Sequence, residues 1–575
     1  MKHSKIALLV SAALFASFGA NAASTDNTAT VNQAGNTNLA SVTQTDESVE
    51  NMVAIDQVGN GNKAYATQAR TSDTTATISQ TGNDNLAIVD QMDATETSTA
   101  SVDTTGEGNK AYITQQLNNA DSASASIVQV GDGNTATIDQ NDADGAVSSI
   151  TQNGNGDTAV VDNFWSDNAT ATIEQNLGTG NSAYISQNDS DSASANLMQT
   201  GAGNTGAINQ NTGNGMHGAG TDTTSASLIQ SGDDNNSVVS QTAMYNSAVV
   251  LQNGNLNTAN VTQSAESNGA DVAQDGDSNT ATVAQTAMGN TADVDQVGNG
   301  NTADVDQSGP SNGVTIAQTS SGSFAQVAQT GESNGATVTQ TGADHSAIIT
   351  QNDFSNTAAV TQSGLGNGLT LTQSGSDLGT GNTATVNQDG DNDTATLSQT
   401  GNSNQVVIAQ SANSYDNSIS VIQSGASNYA GAATELGGGS SITITQTGTN
   451  NSVKNNDNAS NYYGSDIGAG TYGANNMLVI SQSGNDNTAY ADASHDNSSV
   501  DIAQSGEFND ATVESWFGSE NDLSVSQTGD YHLADVYVVG GSMNSVSVTQ
   551  TDSYNTANVT SSGSNNLVMV TQGTM

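Results

Sequence analysis

Glutamine recurs at a fixed interval through the middle of the chain, and this regularity constrains the fold more than any other feature. Fourteen glutamines from Gln230 to Gln373 are separated by gaps of eleven residues. Glycine follows only every second glutamine from Gly232 to Gly298, so two unlike arms form one repeating unit. A period between about 20 and 50 residues is typical of stacked repeat architectures, whereas a disordered chain has no reason to keep such spacing.

Within each arm the residues alternate as they do in a β-strand. In the segment 279–285, Asn, Ala, Val and Gln fall on one face of an extended chain, while Thr, Thr and Ala fall on the other. About four turn-forming residues follow each glutamine, as in DGDS after Gln274. The pattern therefore predicts an all-β fold: a β-solenoid of stacked 22-residue coils with two strands per coil and amyloid-like cross-β packing.

Stacking gives the repeated amides a structural role. When coils lie about 4.8 Å apart, each inward glutamine lies above the glutamine of the next coil, so its amide can donate in one direction and accept from the other. Asparagine at the equivalent of Asn279 can do the same. Such ladders satisfy buried amides that would otherwise each cost about 1–3 kcal/mol. The stretch 272–309 thus predicts ladder residues that include Gln274, Asn279 and Gln285.

Three segments carry a more specific pattern, QxGxGNxAxxxQ. They read QVGNGNKAYATQ (57–68), QVGDGNTATIDQ (129–140) and QVGNGNTADVDQ (296–307). This pattern resembles the curlin repeat of curli amyloid subunits, and in looser form it covers nearly all of the chain after its N-terminal segment. By position, the resemblance implies the following ladder residues: Gln57, Asn62, Gln68, Gln129, Asn134, Gln140, Gln296, Asn301 and Gln307.

The resemblance also implies a function. Curlins stay largely unfolded during export, are nucleated at the cell surface and polymerise into extracellular fibres of biofilm matrix. The implied partners are further copies of the chain, a nucleator and outer-membrane secretion machinery. This chain has room for about twenty-five repeats, far more than is usual in the family, and it is unusually acidic. Major subunit, nucleator and giant adhesin therefore remain open.

The chain ends differ from its middle. Residues 1–22 combine a basic start, an apolar run and small residues before a cleavage site, so we predict a signal peptide and an extracellular location. Residues 23–429 are predicted to form the repeat solenoid. Residues 430–575 are predicted to be degenerate repeats with a long loop at about 454–476, because from Gln482 to Gln572 only one arm of each coil keeps its glutamine.

Composition excludes several classes of protein. The net charge is −51, and beyond residue 22 the only cations are Lys63, Arg70, Lys110 and Lys454, so nothing is available to neutralise nucleic-acid phosphates. No segment beyond residue 22 has the roughly 20 apolar residues of a membrane span. Cysteine is absent, so disulfides and thiolate metal sites are excluded.

The sequence contains no convincing catalytic, cofactor or metal site. We find no nucleophile–base pair, and therefore predict that the chain is not an enzyme. His217, His345, His495 and His532 lack metal-ligand spacing and are expected to be exposed corner residues. Large aromatic residues are expected to pack at corners or to lie in the long loop: Phe164, Trp165, Trp516, Phe517, Tyr462, Tyr463 and Tyr472.

A second function remains open: a monomeric, flat-faced adhesin or ice-binding protein. It is suggested by outward threonine pairs, namely Thr135/Thr137, Thr280/Thr282, Thr383/Thr385 and Thr394/Thr396. Outward acids are expected to stack in register and to be screened weakly by divalent cations, namely Asp293, Asp295, Asp304 and Asp306.

Overall fold

The computed structural model describes residues 25–573 apart from 46, 94, 117–119, 214–222, 376–379 and 456–461. The predicted signal peptide therefore lies outside the described residues. Regular secondary structure in the described part is β-strand throughout. No helix among the described residues is long and apolar enough to cross a membrane. The chain divides into two compact units, Met1–Ser278 (unit 1) and Asn279–Met575 (unit 2).

Unit 1 consists of coils that each contribute one strand to row A and one to row B, and all neighbours within a row are parallel. The row A strands of unit 1 are Thr28–Ala34, Met52–Asn60, Thr75–Asn83, Thr99–Glu107, Ser124–Val130, Val147–Asn155, Thr170–Thr179, Ser194–Thr200, Ser225–Ser231, Ser247–Asn253 and Gly269–Asp275. The row B strands are Leu39–Thr45, Lys63–Ala69, Leu86–Met92, Lys110–Gln116, Thr135–Asn141, Thr158–Phe164, Ser182–Asn188, Thr205–Asn211, Asn236–Gln241 and Thr258–Gln263.

Unit 2 has the same two-row construction. Its row A strands are Thr291–Val297, Gly313–Gln318, Gly335–Gln340, Thr357–Gln362, Thr383–Gln388, Gln405–Gln410, Tyr429–Glu435, Ser452–Val453, Ala469–Tyr472, Thr488–Ser494, Asp510–Trp516, Leu533–Val539 and Thr556–Ser562. Its row B strands are Thr280–Gln285, Thr302–Gln307, Phe324–Gln329, Ser346–Asn352, Gly368–Ser374, Thr394–Asn402, Ser418–Ala426, Ser441–Thr449, Met477–Asn485, Ser499–Glu507, Asp522–Asp530, Ser545–Ser553 and Leu567–Gln572. A further corner pair joins Ser414–Tyr415 to Gly437–Gly438.

The predicted fold class is confirmed: the chain is an all-β solenoid of parallel, stacked coils. Neighbouring coils keep equivalent inward residues in register, so Gln285 pairs with Gln307 and Val283 with Val305. Coil length is not uniform, as the uneven glutamine spacing before Gln230 indicates: the paired Gln285 and Gln307 are separated by 22 positions and the paired Gln57 and Gln80 by 23. The extra residues of unit 1 lie mainly in the corner after row B, which varies in length, whereas the corner after row A is nearly constant.

Burial follows the predicted strand alternation. In Thr280–Gln285 every second side chain is buried, and the others are half-buried. Ala281 and Val283 are at most 1% exposed. Because small and branched residues fill the space between the rows, the interior is thin, and each fully buried valine contributes about 1.5–3 kcal/mol through apolar burial.

In unit 1 the corner after row A requires glycine. Gly59 has φ +118°, and a Cβ placed on it would lie 1.9 Å from the carbonyl oxygen of Gly82 in the next coil. Gly82 repeats the arrangement toward Gly106 at 2.0 Å. Glycine therefore recurs here because both the backbone conformation and the coil spacing exclude a side chain.

One row A strand of unit 2 is interrupted. Ser452–Val453 and Ala469–Tyr472 pair with the same preceding strand, Tyr429–Glu435. The chain therefore leaves the row after Val453 and returns to it at Ala469, and we call the segment between these residues the excursion, of which 454–455 and 462–468 are described. Its described part packs on the outer face of row A, where Tyr429 Oη donates to the carbonyl of Asp466 at 3.0 Å.

Candidate functional site

The inward glutamines and asparagines at the strand ends form the most regular polar feature of the solenoid. The twelve predicted ladder residues are each at most 1% exposed: Gln57, Asn62, Gln68, Gln129, Asn134, Gln140, Gln274, Asn279, Gln285, Gln296, Asn301 and Gln307. Each occupies the last inward position of a strand or the corner that precedes the next strand. The structure thus brings them together as columns along each row.

The glutamine columns are chains of side-chain hydrogen bonds. Gln285 Nε2 donates to Gln307 Oε1 at 2.9 Å, and Gln307 Nε2 donates to Gln329 Oε1 at 3.0 Å. The same bond extends from Gln57 to Gln80 at 2.7 Å in row A of unit 1. Each of these amides donates toward the following coil, so a column has a donor end and an acceptor end.

Each glutamine also connects the two rows. Gln307 Nε2 donates to the carbonyl of Thr291 at 3.0 Å, and Gln296 Nε2 donates to the carbonyl of Thr280 at 3.1 Å. The acceptor belongs to the first residue of a strand in the opposite row. One amide group therefore holds coils together along the stack and rows together across it. The sequence carries no signal for this second bond because the acceptor is main chain.

The asparagines stack mainly through the backbone. Asn279 Oδ1 accepts the main-chain N–H of Asn301 at 3.0 Å, and Asn279 Nδ2 donates to the carbonyl of Gly298 at 2.7 Å. Asn62 Nδ2 binds the Gly82 carbonyl in the same way at 2.9 Å. Asparagine therefore fastens the glycine corner to the next coil, a different task from that of glutamine.

Two substitutions interrupt the glutamine columns of unit 1. Thr104 lies in register between Gln80 and Gln129, and both Thr104 Oγ1 and Gln129 Oε1 are buried without a hydrogen-bond partner. In row B, Asn163 takes the glutamine position. Gln140 Nε2 donates instead to Ser148 Oγ at 3.0 Å, while Asn163 Oδ1 is left without a partner. Where the column is interrupted, buried side-chain oxygen atoms are left without the hydrogen-bond partner that an intact column supplies.

Two histidines occupy the asparagine position, which corrects the expectation that they are exposed. His345 and His532 are each 1% exposed. His345 Nδ1 accepts the N–H of Asn367 at 3.2 Å, as an asparagine oxygen would. Burial lowers the pKa of His345, so the ring is held neutral. The sequence contains a clue to this placement, because His345 and His532 each follow a glutamine by five residues, as Asn279 follows Gln274. His495 is a half-buried corner residue, and His217 lies outside the described residues.

The outward acids that were expected to stack on one another have mostly neutral neighbours in register. Asp304 lies between Thr282 and Gln326, and Gln326 Nε2 donates to Asp304 Oδ2 at 2.9 Å. Asp306 lies between two alanines. On their C-terminal side, Asp293 pairs with Thr315 and Asp295 with Ala317. Stacking of like charges is therefore absent around Asp304 and Asp306, where outward neighbours are neutral.

Acids do stack at a corner of unit 1. Asp144 Oδ1 accepts the N–H of Asp121, and Asp167 Oδ1 accepts the N–H of Asp144, both at 3.0 Å. Asp191 continues the column by accepting from Asp167 at 2.9 Å. Burial, with added repulsion from Asp167 and Asp121, raises the pKa of Asp144. In the described part of the chain, no group of three or more His, Asp or Glu side chains could hold a metal ion.

Family comparison fits the repeat geometry. A family model described as the Curlin associated repeat matches residues 50–82, 265–298, 298–331, 321–352, 379–411, 416–448, 496–529 and 518–551. The chain belongs to the curlin-repeat family. Matches fall in both units, and coils of the same construction continue through the described residues of the unmatched stretch 83–264, where the equivalent inward positions are buried glutamines except for Thr104 and Asn163. No curated protein matches the chain.

Proposed function

We propose that this curlin-repeat protein is a secreted structural subunit of an extracellular, curli-like amyloid fibre that serves in biofilm matrix and surface adhesion. The family consists of structural amyloid subunits rather than enzymes. Copies would join end to end, each adding its laddered coils to the stack. Export would use the N-terminal segment and outer-membrane secretion machinery, and growth would start from a nucleator.

The polarity of the glutamine columns supports end-to-end growth. In the first row B strand of unit 1, Gln44 Nε2 donates to Gln68 Oε1 at 2.8 Å, and Gln44 is only half-buried. In the last row B strand of unit 2, Gln572 accepts from Gln550 at 2.7 Å and is also half-buried. Gln572 of one copy can therefore donate to Gln44 of the next. Such a contact is heterologous and does not close, so it propagates into a filament.

Open strand edges supply the main-chain part of the same contact. In Leu567–Gln572 the burial alternates between exposed and half-buried, whereas Thr280–Gln285 alternates between half-buried and fully buried. Unpaired N–H and C=O groups along an edge bind another strand readily. The backbone and the amide columns thus favour the same mode of addition.

The monomeric ice-binding alternative needs a regular array of outward threonines. Thr282 instead lies beside Asp304, and Thr385 lies beside Val407. Thr137 lies between Tyr112 and Val160. These neighbours break the array within one coil, which weakens the case for a flat binding face.

A substitution that blocks strand addition at the C-terminal end of the solenoid tests the proposal. In row B the N–H of Ser545 donates to the following coil, at the carbonyl of Asn566, and Ser547, two residues later, lies in register with Met569. Met569→Pro therefore removes a main-chain donor from the open edge of the strand Leu567–Gln572 and should stop addition there. The matched control is Thr282→Pro, which would disrupt an interior coil and reduce β-content. We expect Met569→Pro to keep the wild-type circular dichroism spectrum but to lose fibre growth, measured by thioflavin fluorescence and electron microscopy. Wild-type protein that stays monomeric and slows ice growth would favour the alternative.

A further inference from the structure

We propose that a ring of five aromatic side chains in unit 2 binds organic cations of the quaternary ammonium class. The ring consists of Tyr462, Tyr472, His495, Phe517 and Trp516, and it encloses a cavity of about 280 Å³ whose lining includes Ser494. The site does not depend on fibre formation, because all of its residues belong to the same unit.

The five rings form a closed circuit. In order from Tyr462 through Tyr472, His495, Phe517 and Trp516 and back, neighbouring ring centroids are 5.9, 6.2, 6.0, 5.7 and 6.0 Å apart. For comparison, a regular planar pentagon with sides of this length has its centre about 5 Å from every corner, within the roughly 6 Å reach of a cation–π contact. The cavity of about 280 Å³ that these rings line has room for one cationic head group.

Coil stacking builds the cage. Tyr472 is in register with Ser494 of the following coil, and Ala493, next to Ser494, is in register with Ser515, which directly precedes Trp516. The small Ser494 leaves a gap between two large rings that lie two coils apart. His495 and Phe517 follow at the corner, each with positive φ, 66° and 57°.

The excursion completes the circuit. Tyr462 belongs to its described part, and its ring lies edge-on to Tyr472 and to Trp516, with interplanar angles of 85° and 86°. Tyr463, next to it, donates its hydroxyl to Asp492 Oδ1 at 3.2 Å, which holds the excursion on the sheet. The interruption of row A thus supplies the one wall of the cage that regular coils cannot provide.

Buried carboxylates lie beneath the rings. Trp516 Nε1 donates to Glu514 Oε2 at 2.7 Å, and Ser494 Oγ donates to Asp492 Oδ1 at 2.8 Å. Asp492 is fully buried, and its Oδ2 has no hydrogen-bond partner. Burial, with Glu514 and Glu435 nearby, raises the pKa of Asp492 to about 7. A cation in the cage would stabilise the ionised form of this carboxyl group.

The lining selects the class of ligand. Aromatic faces attract a diffuse positive charge and offer no lone pairs to a small metal ion, which needs oxygen or nitrogen ligands. An alkylated ammonium group presents both the charge and the apolar surface that the rings can contact. The net charge of −51 would also attract cations toward the chain.

Trp516 allows a direct binding experiment. The chain has two tryptophans, so Trp165→Phe leaves Trp516 as the only indole fluorophore. This protein, with the full chain otherwise intact, is titrated with choline and separately with 3,3-dimethylbutan-1-ol, its uncharged isostere. We expect choline to change Trp516 fluorescence with saturation, and the isostere to bind at least tenfold more weakly.

Variants then locate the site. Tyr462→Leu and Phe517→Leu each remove one exposed wall and should weaken choline binding about 3- to 30-fold. Tyr554→Leu removes an exposed tyrosine that is stacked on Tyr531 instead, and it should leave binding unchanged. Circular dichroism checks that each variant keeps the wild-type fold.

Three outcomes would overturn the inference. Absence of a saturable signal would remove the site, and equal binding of the isostere would show an apolar pocket without charge selectivity. A response to cellobiose but not to choline would identify a carbohydrate site. Because the titration needs no fibres, its failure would leave the proposed fibre function intact.

Discussion

Replacing Gln307 by leucine removes one member of a glutamine column while keeping a similar side-chain volume. Three hydrogen bonds are lost: from Gln285 at 2.9 Å, to Gln329 at 3.0 Å and to the carbonyl of Thr291 at 3.0 Å. Each buried group that loses its partner costs about 1–3 kcal/mol, and the apolar leucine recovers about 1.5–3 kcal/mol. The coil contacts should therefore be weakened by about 2–6 kcal/mol.

The effect should be local, because in a solenoid each coil contacts only its neighbours. Hydrogen exchange followed by mass spectrometry should show faster exchange in residues 280–329, and unchanged exchange in the first coils of unit 1. Thr280→Ser, on the outward face of the same unit, is the control and should leave exchange unaltered. Equal protection in Gln307→Leu and wild-type protein would refute the role given to the amide column.

Three further substitutions probe other features of the chain. Thr104→Gln should restore the column between Gln80 and Gln129 and raise the free energy of unfolding by about 1–3 kcal/mol, measured by urea denaturation; a loss of stability would mean that the site has no room for the amide. His345→Asn should remove an acid sensitivity: the folded pKa of His345 is lowered, so its contribution is present above the unfolded pKa of 6.5 and falls as the pH drops below it. If protection against hydrogen exchange in residues 340–370 of the wild-type protein does not change between pH 7 and pH 5, this explanation is contradicted. Asp144→Asn should have the opposite dependence, because the folded pKa of Asp144 is raised: its repulsion is absent below the unfolded pKa of 3.8 and grows as the pH rises through the folded value, so the variant should stabilise the corner at pH 7 and not at pH 3. Added salt should reduce the gain at pH 7, and a gain independent of both pH and salt would remove the electrostatic explanation.

The fold was predictable because its repeat is short and its strands alternate. The eleven-residue spacing of glutamine indicated the two arms of a coil, and the parity of segment 279–285 indicated the faces that the structure buries. The corner glycines were predictable for the same reason. At Gly59 and Gly82 a side chain would clash with the next coil, and this steric exclusion recurs from coil to coil. One constant and one variable corner were also indicated, because the spacings between Gln33, Gln44, Gln57 and Gln68 alternate between 11 and 13 residues.

The candidate site was predictable only where side chains repeat. The positions of the ladder residues follow from the period, but the bond from Gln307 to the Thr291 carbonyl depends on how the rows face each other. The predicted stacking of outward acids was wrong at Asp304, because the residue in register with it in the following coil is Gln326 and not another acid. Which residues face each other depends on the register of neighbouring coils, and composition does not reveal it. The aromatic ring needed the excursion, since Tyr462 reaches Tyr472 and Trp516 only when row A is interrupted.

X-ray fibre diffraction from aligned assemblies of the purified chain, begun after residue 22, is the sharpest test of end-to-end coil stacking. Parallel coils stacked in this way predict a meridional reflection at about 4.8 Å, from strands perpendicular to the fibre axis, and an equatorial reflection at about 10 Å, from the two facing rows. The same pattern should be absent from preparations of Met569→Pro, which cannot add copies at the edge formed by Leu567–Gln572. Wild-type protein that forms only soluble monomers after prolonged incubation, or fibres whose strand-spacing reflection lies on the equator, would contradict end-to-end stacking.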